Sequence, residues 1–306
     1  MAVLFEHRLR IAGFATRALE LDGEGPPLLL LHGWSDSADT WRPVLDRLRR
    51  RGLRAVALDV PGYGTASPLA PDAPVLEQID SFLRAALIRF ADCEPAVIAG
   101  NSLGGCAALR AAEDAALPIA GIVPIAPAGF DMAGWFLVVE SERLVRLLLS
   151  SPFPLPEPIV RAAVGQVYRQ VAFARPWSVD PRLIASFTRH VSSRADVTRI
   201  LASGRRLRSE LGDCFRLERI ARPVLVVWGD QDRMVFASGA ERILREVAGA
   251  RLEVIEGCGH CPQLEAPDRL VELIEQFSSG PASPIFDAAT IQSGRGTRTR
   301  DAAATD

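Results

Sequence analysis

The stretch Ala96-Val97-Ile98-Ala99-Gly100-Asn101-Ser102-Leu103-Gly104 sets the fold of this chain. Residues 96–99 form a short apolar run, as expected of a strand buried on both faces. Residues 103–116 are alanine-rich and read as a helix. Between the two, Gly100, Ser102 and Gly104 stand in G-x-S-x-G spacing. That pattern alone arises by chance in roughly one chain in ten of this size, so its place between strand and helix gives it weight. A sharp strand-to-helix turn forces the serine into a strained conformation and lifts its hydroxyl above the sheet edge. Glycines two residues before and after remove side chains that would collide there. The helix N-terminus offers backbone N–H groups and a favourable dipole to a developing oxyanion. Ser102 is the candidate nucleophile.

Outward from this turn, short apolar runs alternate with amphipathic stretches, the pattern of a mainly parallel sheet covered by helices. Residues 28–31 (Leu-Leu-Leu-Leu), 54–58, 96–99 and 119–125 read as strands, and 40–51, 75–90 and 103–116 as helices. From about 128 to 219 no convincing buried strand occurs; the segment reads as helical and arginine-rich, interrupted by Pro152, Pro154, Pro156 and Pro158. Alternation resumes with a strand at 224–228, a helix near 237–247, a strand at 252–255 and a last helix from about 267 to 277. Residues 280–306 are rich in Ser, Gly, Ala and Thr and are expected to be disordered, because they cannot bury enough apolar surface to offset ordering entropy.

A serine hydroxyl needs a base within hydrogen-bond reach. The four histidines are His7, His32, His190 and His260. His260 lies in a glycine-rich loop after the last strand, and where the nucleophile sits on such a turn the chain order is serine, acid, histidine. His190 falls among arginines and reads as a surface or packing residue. The acid should orient the imidazole and stabilise its protonated form. Asp230 and Asp232 both follow the strand that ends at Trp228-Gly229, where sheets of this kind place their sites. A turn-capping role is the ordinary one for Asp230. His32-Gly33-Trp34 ends the run at 28–31, which assigns the oxyanion donors to the N–H groups of Trp34 and Leu103. His32 itself is expected to have a structural hydrogen-bonding role.

Composition removes other classes. The formal charge is −2 and no basic block stands out, which argues against nucleic-acid binding. The chain contains no lysine, so Schiff-base chemistry and a phosphate-gripping P-loop lysine are excluded. The N-terminus lacks the apolar core of a secretory signal, and the apolar stretch at 117–139 is broken by Pro118, Pro124, Pro127 and several glycines. No membrane span is expected, and a cytoplasmic location is. Five cysteines, an odd number, argue against a disulfide scaffold. Cys258 and Cys261 form a C-x-x-C pair around His260, but a structural zinc needs four ligands and no second pair lies nearby.

Taken together, LLLLHGW, DVPGYG, AGNSLGG, VLVVWGDQD and GCGHCPQLEAPDRL, in order across about residues 28–270, resemble the α/β-hydrolase superfamily. The resemblance is to its cap-bearing branch of esterases, C–C bond hydrolases, epoxide hydrolases and dehalogenases. It implies an α/β-hydrolase fold, α/β class, with a mostly parallel doubly wound sheet and a helical cap inserted after about the sixth strand. It implies core residues 1–127 and 220–279 and a cap at 128–219. It selects Asp232 as the acid, the last position of G-x-x-D, and so a Ser102–Asp232–His260 triad needing no cofactor and no metal. Epoxide hydrolases and dehalogenases of this fold use aspartate where Ser102 stands, which disfavours both. C–C bond hydrolases carry tryptophan after the histidine, where this chain has Cys261, which weakens that reading. Phe130, Trp135, Phe136, Phe153, Phe173 and Trp177 make the cap aromatic, pointing to a small apolar or aromatic substrate. Arg143 and Arg146 read as solvated helix faces, with bidentate binding of a substrate carboxylate the alternative. The expected activity is cleavage of an ester or related acyl bond. The alternatives are C–C hydrolysis of a diketone acid, cofactor-free haloperoxidase or perhydrolase chemistry, and a small-ligand receptor on the same fold. Nothing in the sequence speaks to oligomeric state.

Overall fold

A computed structural model describes residues 3–91, 94–132, 156–191 and 193–279. Eight strands form one sheet in the order β1-β2-β4-β3-β5-β6-β7-β8. They are β1 (Leu4–Ile11), β2 (Phe14–Leu21), β3 (Glu24–Leu31), β4 (Leu53–Leu58), β5 (Ala96–Asn101), β6 (Ile119–Ile125), β7 (Leu225–Gly229) and β8 (Arg251–Ile255). From β4 to β8 across the sheet every pairing is parallel, while β1 and β2 form an antiparallel hairpin, β2 pairing antiparallel with β4. Ala12 (φ 48°) and Gly13 (φ 84°) turn that hairpin with two left-handed residues, the geometry that matches strand twist. The alternation read from residue 28 onward did not include β1 and β2. Most of β1 is exposed and carries Glu6, His7, Arg8 and Arg10, so it shows no buried apolar run.

The helices are α1 (Arg42–Arg50), α2 (Val75–Phe90), α3 (Leu103–Ala112), α4 (Glu157–Ala172), α5 (Pro181–Thr188), α6 (Arg194–Glu210), α7 (Ala240–Glu246) and α8 (Pro267–Ser279), with a single turn at Pro262–Glu265. They lie on both faces because strand side chains alternate between them. Leu29, Leu31, Val56, Leu58 and Ile98 point toward α2, α3 and α7, packing with Phe82, Leu87, Leu103 and Ile243. Leu28, Leu30, Ala55, Ala57, Val97 and Ala99 point the other way, toward Val44, Leu45 and Leu48 of α1 and Leu270, Ile274 and Phe277 of α8. Four consecutive leucines in β3 are needed because both faces are covered. Each such side chain contributes roughly 1.5–3 kcal/mol when removed from water.

α3 stops four residues earlier than its alanine-rich sequence suggests. The Asp114 carboxylate accepts from Ala116 N at 2.9 Å, a local turn that competes with the helix. Between the sixth and seventh strands the described chain is helical, α4 to α6. Glu210, at the end of α6, accepts hydrogen bonds from Val75 N and Leu76 N at 2.8 Å each. A carboxylate there complements the positive N-terminal end of α2 and ties this helical segment to the core.

α1 leaves β3 on one face and α3 leaves β5 on the other, while β3 and β5 are hydrogen-bonded neighbours. The loops after these strands therefore diverge and open a crevice at their C-terminal ends, where ligands bind in open parallel sheets.

Candidate active site

Ser102 occupies that crevice with φ 53° and ψ −111°, a conformation costing about 1–3 kcal/mol that surrounding structure must hold. Ser102 N donates to Ile125 O at 2.9 Å, and Ser102 O accepts from Cys106 N and Ala128 N at 2.9 and 3.1 Å. The flanking glycines are required by contact. A Cβ on Gly100 would lie 2.2 Å from Gly104 O, and one on Gly104 would lie 2.3 Å from Leu31 O. Both obstacles are backbone and cannot rotate away. Gly104→Ala is expected to cost about 3 kcal/mol or more, read as a lower urea midpoint; an unchanged midpoint contradicts the close approach.

His260 and Asp232 meet beside this turn. His260 Nδ1 lies 2.7 Å from Asp232 Oδ2, and both side chains are almost wholly buried. The other carboxylate oxygen of Asp232 accepts from Met234 N and Val235 N, at 2.8 and 3.1 Å, so this carboxylate is fixed by its own loop. Asp230 instead accepts from Cys258 N at 3.2 Å, a turn-stabilising role. With Nδ1 engaged, His260 Nε2 is buried without a hydrogen-bond partner in the pocket that Ser102 also lines. No hydrogen bond joins Ser102 and His260 Nε2 in this structure.

Three side chains that the motifs did not single out hold the histidine loop. Asn101 Nδ2 donates to His260 O at 2.9 Å, and Gln263 Nε2 donates to Asn101 Oδ1 and Thr40 Oγ1 at 3.2 Å each. Glu265 accepts from Gly259 N and from Ala174 N at 2.8 Å each, and His260 N donates to Ala172 O at 2.8 Å. The end of α4 and the residues just after it thus clasp the loop that carries the histidine. Burial raises the Glu265 pKa above its ordinary value. No local sequence signal marks these residues, since each also bonds to a segment distant in the chain.

Trp34 and Leu103 line the pocket with Ser102. Leu103 opens α3, and a Cβ on the neighbouring Gly33 would sit 3.3 Å from Ser102 Cβ, so the loop after β3 packs directly against the Ser102 turn. His32 points away into the core. Its Nε2 accepts from Val60 N and its Nδ1 donates to Gly33 O, both at 2.8 Å, and burial lowers its pKa to about 4. That is the structural role expected of it. His190 faces Asp39, 3.8 Å away, and does not line the pocket.

The pocket is partly open to solvent. Its apolar wall comes from Leu103, Ala128, Met132, Leu207, Leu211 and Met234. Of the aromatics singled out in the sequence, Phe130 stacks on Phe215 at 4.7 Å, Phe173 packs against Tyr168 at 5.4 Å, and Trp177 is 81 % exposed. None of these three lines the pocket; Trp135, Phe136 and Phe153 lie outside the described residues, as do Arg143, Arg146, Cys93, Pro152, Pro154 and residues 280–306. Arg208 of α6 lines it instead. Cys258 and Cys261 are buried thiols whose pKa burial raises, an environment that leaves thiols inert. Among the described residues no group of three or more His, Cys, Asp or Glu is arranged to hold a metal, and no helix is long and apolar enough to cross a membrane.

Asp36 also lines the pocket, 7 % exposed, and burial pushes its pKa from 3.8 to about 7. A higher pKa in the folded chain means the folded chain holds the proton more tightly. Stability from this group is complete below about pH 4 and is lost as pH rises toward 7. Asp36→Asn is therefore expected to raise stability more at pH 8 than at pH 5, by on the order of 2 kcal/mol. Thermal melting at both pH values checks this; an equal effect at both contradicts it.

Comparison with known proteins gives one consistent fold. A model described as "Alpha/beta hydrolase family" matches residues 28–273. Pimeloyl-[acyl-carrier protein] methyl ester esterase of Nitrosomonas europaea is 26 % identical over 262 residues, covering 84 % of this chain and 97 % of that one. Monoacylglycerol lipase of Rattus norvegicus is 24 % identical over 277 residues, covering 86 % and 78 %. The solved structure of 2-hydroxy-6-oxo-6-phenylhexa-2,4-dienoate hydrolase from a Rhodococcus strain superposes with TM-score 0.72 at 20 % identity, covering 90 % and 99 %.

Proposed function

The chain belongs to the alpha/beta hydrolase family, and we propose that it is a serine hydrolase cleaving carboxylic esters of small, largely apolar substrates through an acyl-enzyme on Ser102. One observation carries this reading. His260 Nδ1 is held at 2.7 Å by Asp232, while its Nε2 is buried and unpartnered in the pocket lined by the strained Ser102. That is how a base is oriented toward a nucleophile.

In the proposed reaction His260 Nε2 takes the Ser102 proton as the oxygen attacks the ester carbonyl. The N–H groups of Trp34 and Leu103 hold the oxyanion. Collapse breaks the C–O bond, His260 gives its proton to the departing alkoxide, and an acyl-serine remains. Water, deprotonated by His260, attacks that acyl group and releases the acid with regeneration of Ser102. Asp232 stays ionised throughout and stabilises the imidazolium. The segment at 128–219 is proposed to act as a cap that shapes the pocket. The esterase and lipase among the relatives favour ester over C–C substrates, and so does Cys261 after the histidine.

The test is turnover of p-nitrophenyl acyl esters of increasing chain length beside a vinylogous diketone acid. Ester hydrolysis well above the diketone acid rate supports the reading. Folded protein that turns over the diketone acid alone, or binds acyl ligands without turnover, overturns it.

A further inference from the structure

Among the described residues lining the pocket, Asp36 is the one carboxyl. It differs from the other buried aspartates nearby. Asp39 and Asp59 are each paired with Arg17, at 2.9 and 3.1 Å, and Asp39 also with Arg42 at 2.6 Å. Among the described residues no arginine or histidine forms an ion pair with Asp36. One of its oxygens accepts from Ser37 N at 2.8 Å, and the Thr40 hydroxyl hydrogen-bonds to the carboxyl. Burial pushes its pKa up to about 7, as expected where no cation compensates it. A buried carboxyl with no compensating cation costs stability, and a hydroxyl donor on a ligand stabilises its ionised form.

Its place on the wall assigns the part of the substrate it meets. Asp36 lies near Tyr168 and Cys261, whose hydroxyl and thiol are 3.5 Å apart. Cys261 and His260, the residue that protonates the departing alkoxide in the proposed reaction, line the same pocket as Asp36 and Tyr168. This side of the pocket therefore receives the alcohol half of an ester. Arg208 lines the same pocket and opposes a cationic alcohol, while the Asp36 charge opposes an anionic one. A neutral hydroxyl remains.

We propose that Asp36 forms a subsite for the alcohol half of the substrate and accepts a hydrogen bond from a hydroxyl group on it, so that hydroxyl-bearing esters are preferred to their alkyl counterparts. The proposal rests on the hydrolase reading above. In a purely apolar pocket, exchanging a methyl for a hydroxyl lowers affinity, so preference for the hydroxyl requires a polar partner.

The experiment compares kcat/KM for 2-hydroxyethyl butyrate and propyl butyrate, which differ by that exchange, with butyrylcholine as the cationic arm. Wild-type protein is expected to favour the hydroxyethyl ester about tenfold. In Asp36→Asn, which keeps an acceptor for Ser37 N but puts a donor in place of the second oxygen, the ratio is expected to fall to about one. Asp36→Ala is expected to give the same ratio, and thermal melting establishes that each variant is folded. No preference in the wild type, or an unchanged ratio in a folded variant, overturns the subsite. Butyrylcholine favoured over the hydroxyethyl ester, with the advantage lost in Asp36→Asn, overturns the hydroxyl assignment in favour of a cation site. Fluorophosphonate labelling separates the two levels. Wild type that labels at Ser102 and hydrolyses both neutral esters equally loses only the subsite; wild type that neither labels nor hydrolyses loses the hydrolase reading and the subsite with it.

Discussion

Ser102→Ala is expected to lower kcat toward an ester substrate by about ten-thousand-fold or more, with the thermal midpoint nearly unchanged. Alanine keeps the Cβ and the backbone bonds of Ser102 N to Ile125 O and of Cys106 N and Ala128 N to Ser102 O, so the turn is retained. Only the attacking oxygen is lost, and with it the acyl-enzyme route. Residual turnover then comes from oxyanion stabilisation and binding alone, which in triad enzymes is far smaller than the full effect. The measurement is steady-state hydrolysis of a p-nitrophenyl ester by purified variant and wild type. Comparable rates mean that the nucleophile lies elsewhere.

Asp232→Asn is expected to have the second largest effect, about a thousand-fold to ten-thousand-fold in kcat, with a small change in KM. The Asp232 carboxylate takes three hydrogen bonds, from His260 Nδ1 and from the backbone N–H groups of Met234 and Val235. An amide in its place can keep the two backbone bonds through its oxygen while presenting N–H to the imidazole. That favours the tautomer with its proton on Nε2, the wrong one for accepting from serine, and removes the charge that stabilises the imidazolium. Fold should persist because the loop geometry is conserved. Asp230→Asn is the control: Asp230 contacts Cys258 N and not the imidazole, so its effect on kcat is expected to be less than tenfold.

The part of this site legible in the sequence is the part encoded locally. Ser102 is recognisable because strand, turn and helix signals agree within a dozen residues, and the structure puts it at φ 53° at the start of α3. His260 follows from elimination among four histidines. The choice between Asp230 and Asp232 is not in the residues themselves, since both end the same strand; it depends on which carboxylate the loop turns toward His260. Asn101, Gln263 and Glu265 act across 159, 162 and 91 positions of chain, separations that no local pattern reports. Asp36 is one polar residue in a polar loop. Its burial is a property of the folded chain that its polar neighbours in sequence do not announce. Composition supplies aromatic rings but not their direction: among the described ones, Phe130 is turned against Phe215 and Trp177 into solvent. At the sheet edge, β1 was illegible because its side chains are mostly exposed and its partner β2 is buried by tertiary contact.

The central claim is that Ser102 is an activated nucleophile, and covalent labelling tests it most directly. Purified protein is treated with a fluorophosphonate and the adduct mapped by peptide mass spectrometry, with Ser102→Ala and His260→Ala as controls. The expected result is one adduct per chain on Ser102, absent in the first variant and strongly slowed in the second. A folded protein that takes no label, or takes it on another residue, contradicts the account.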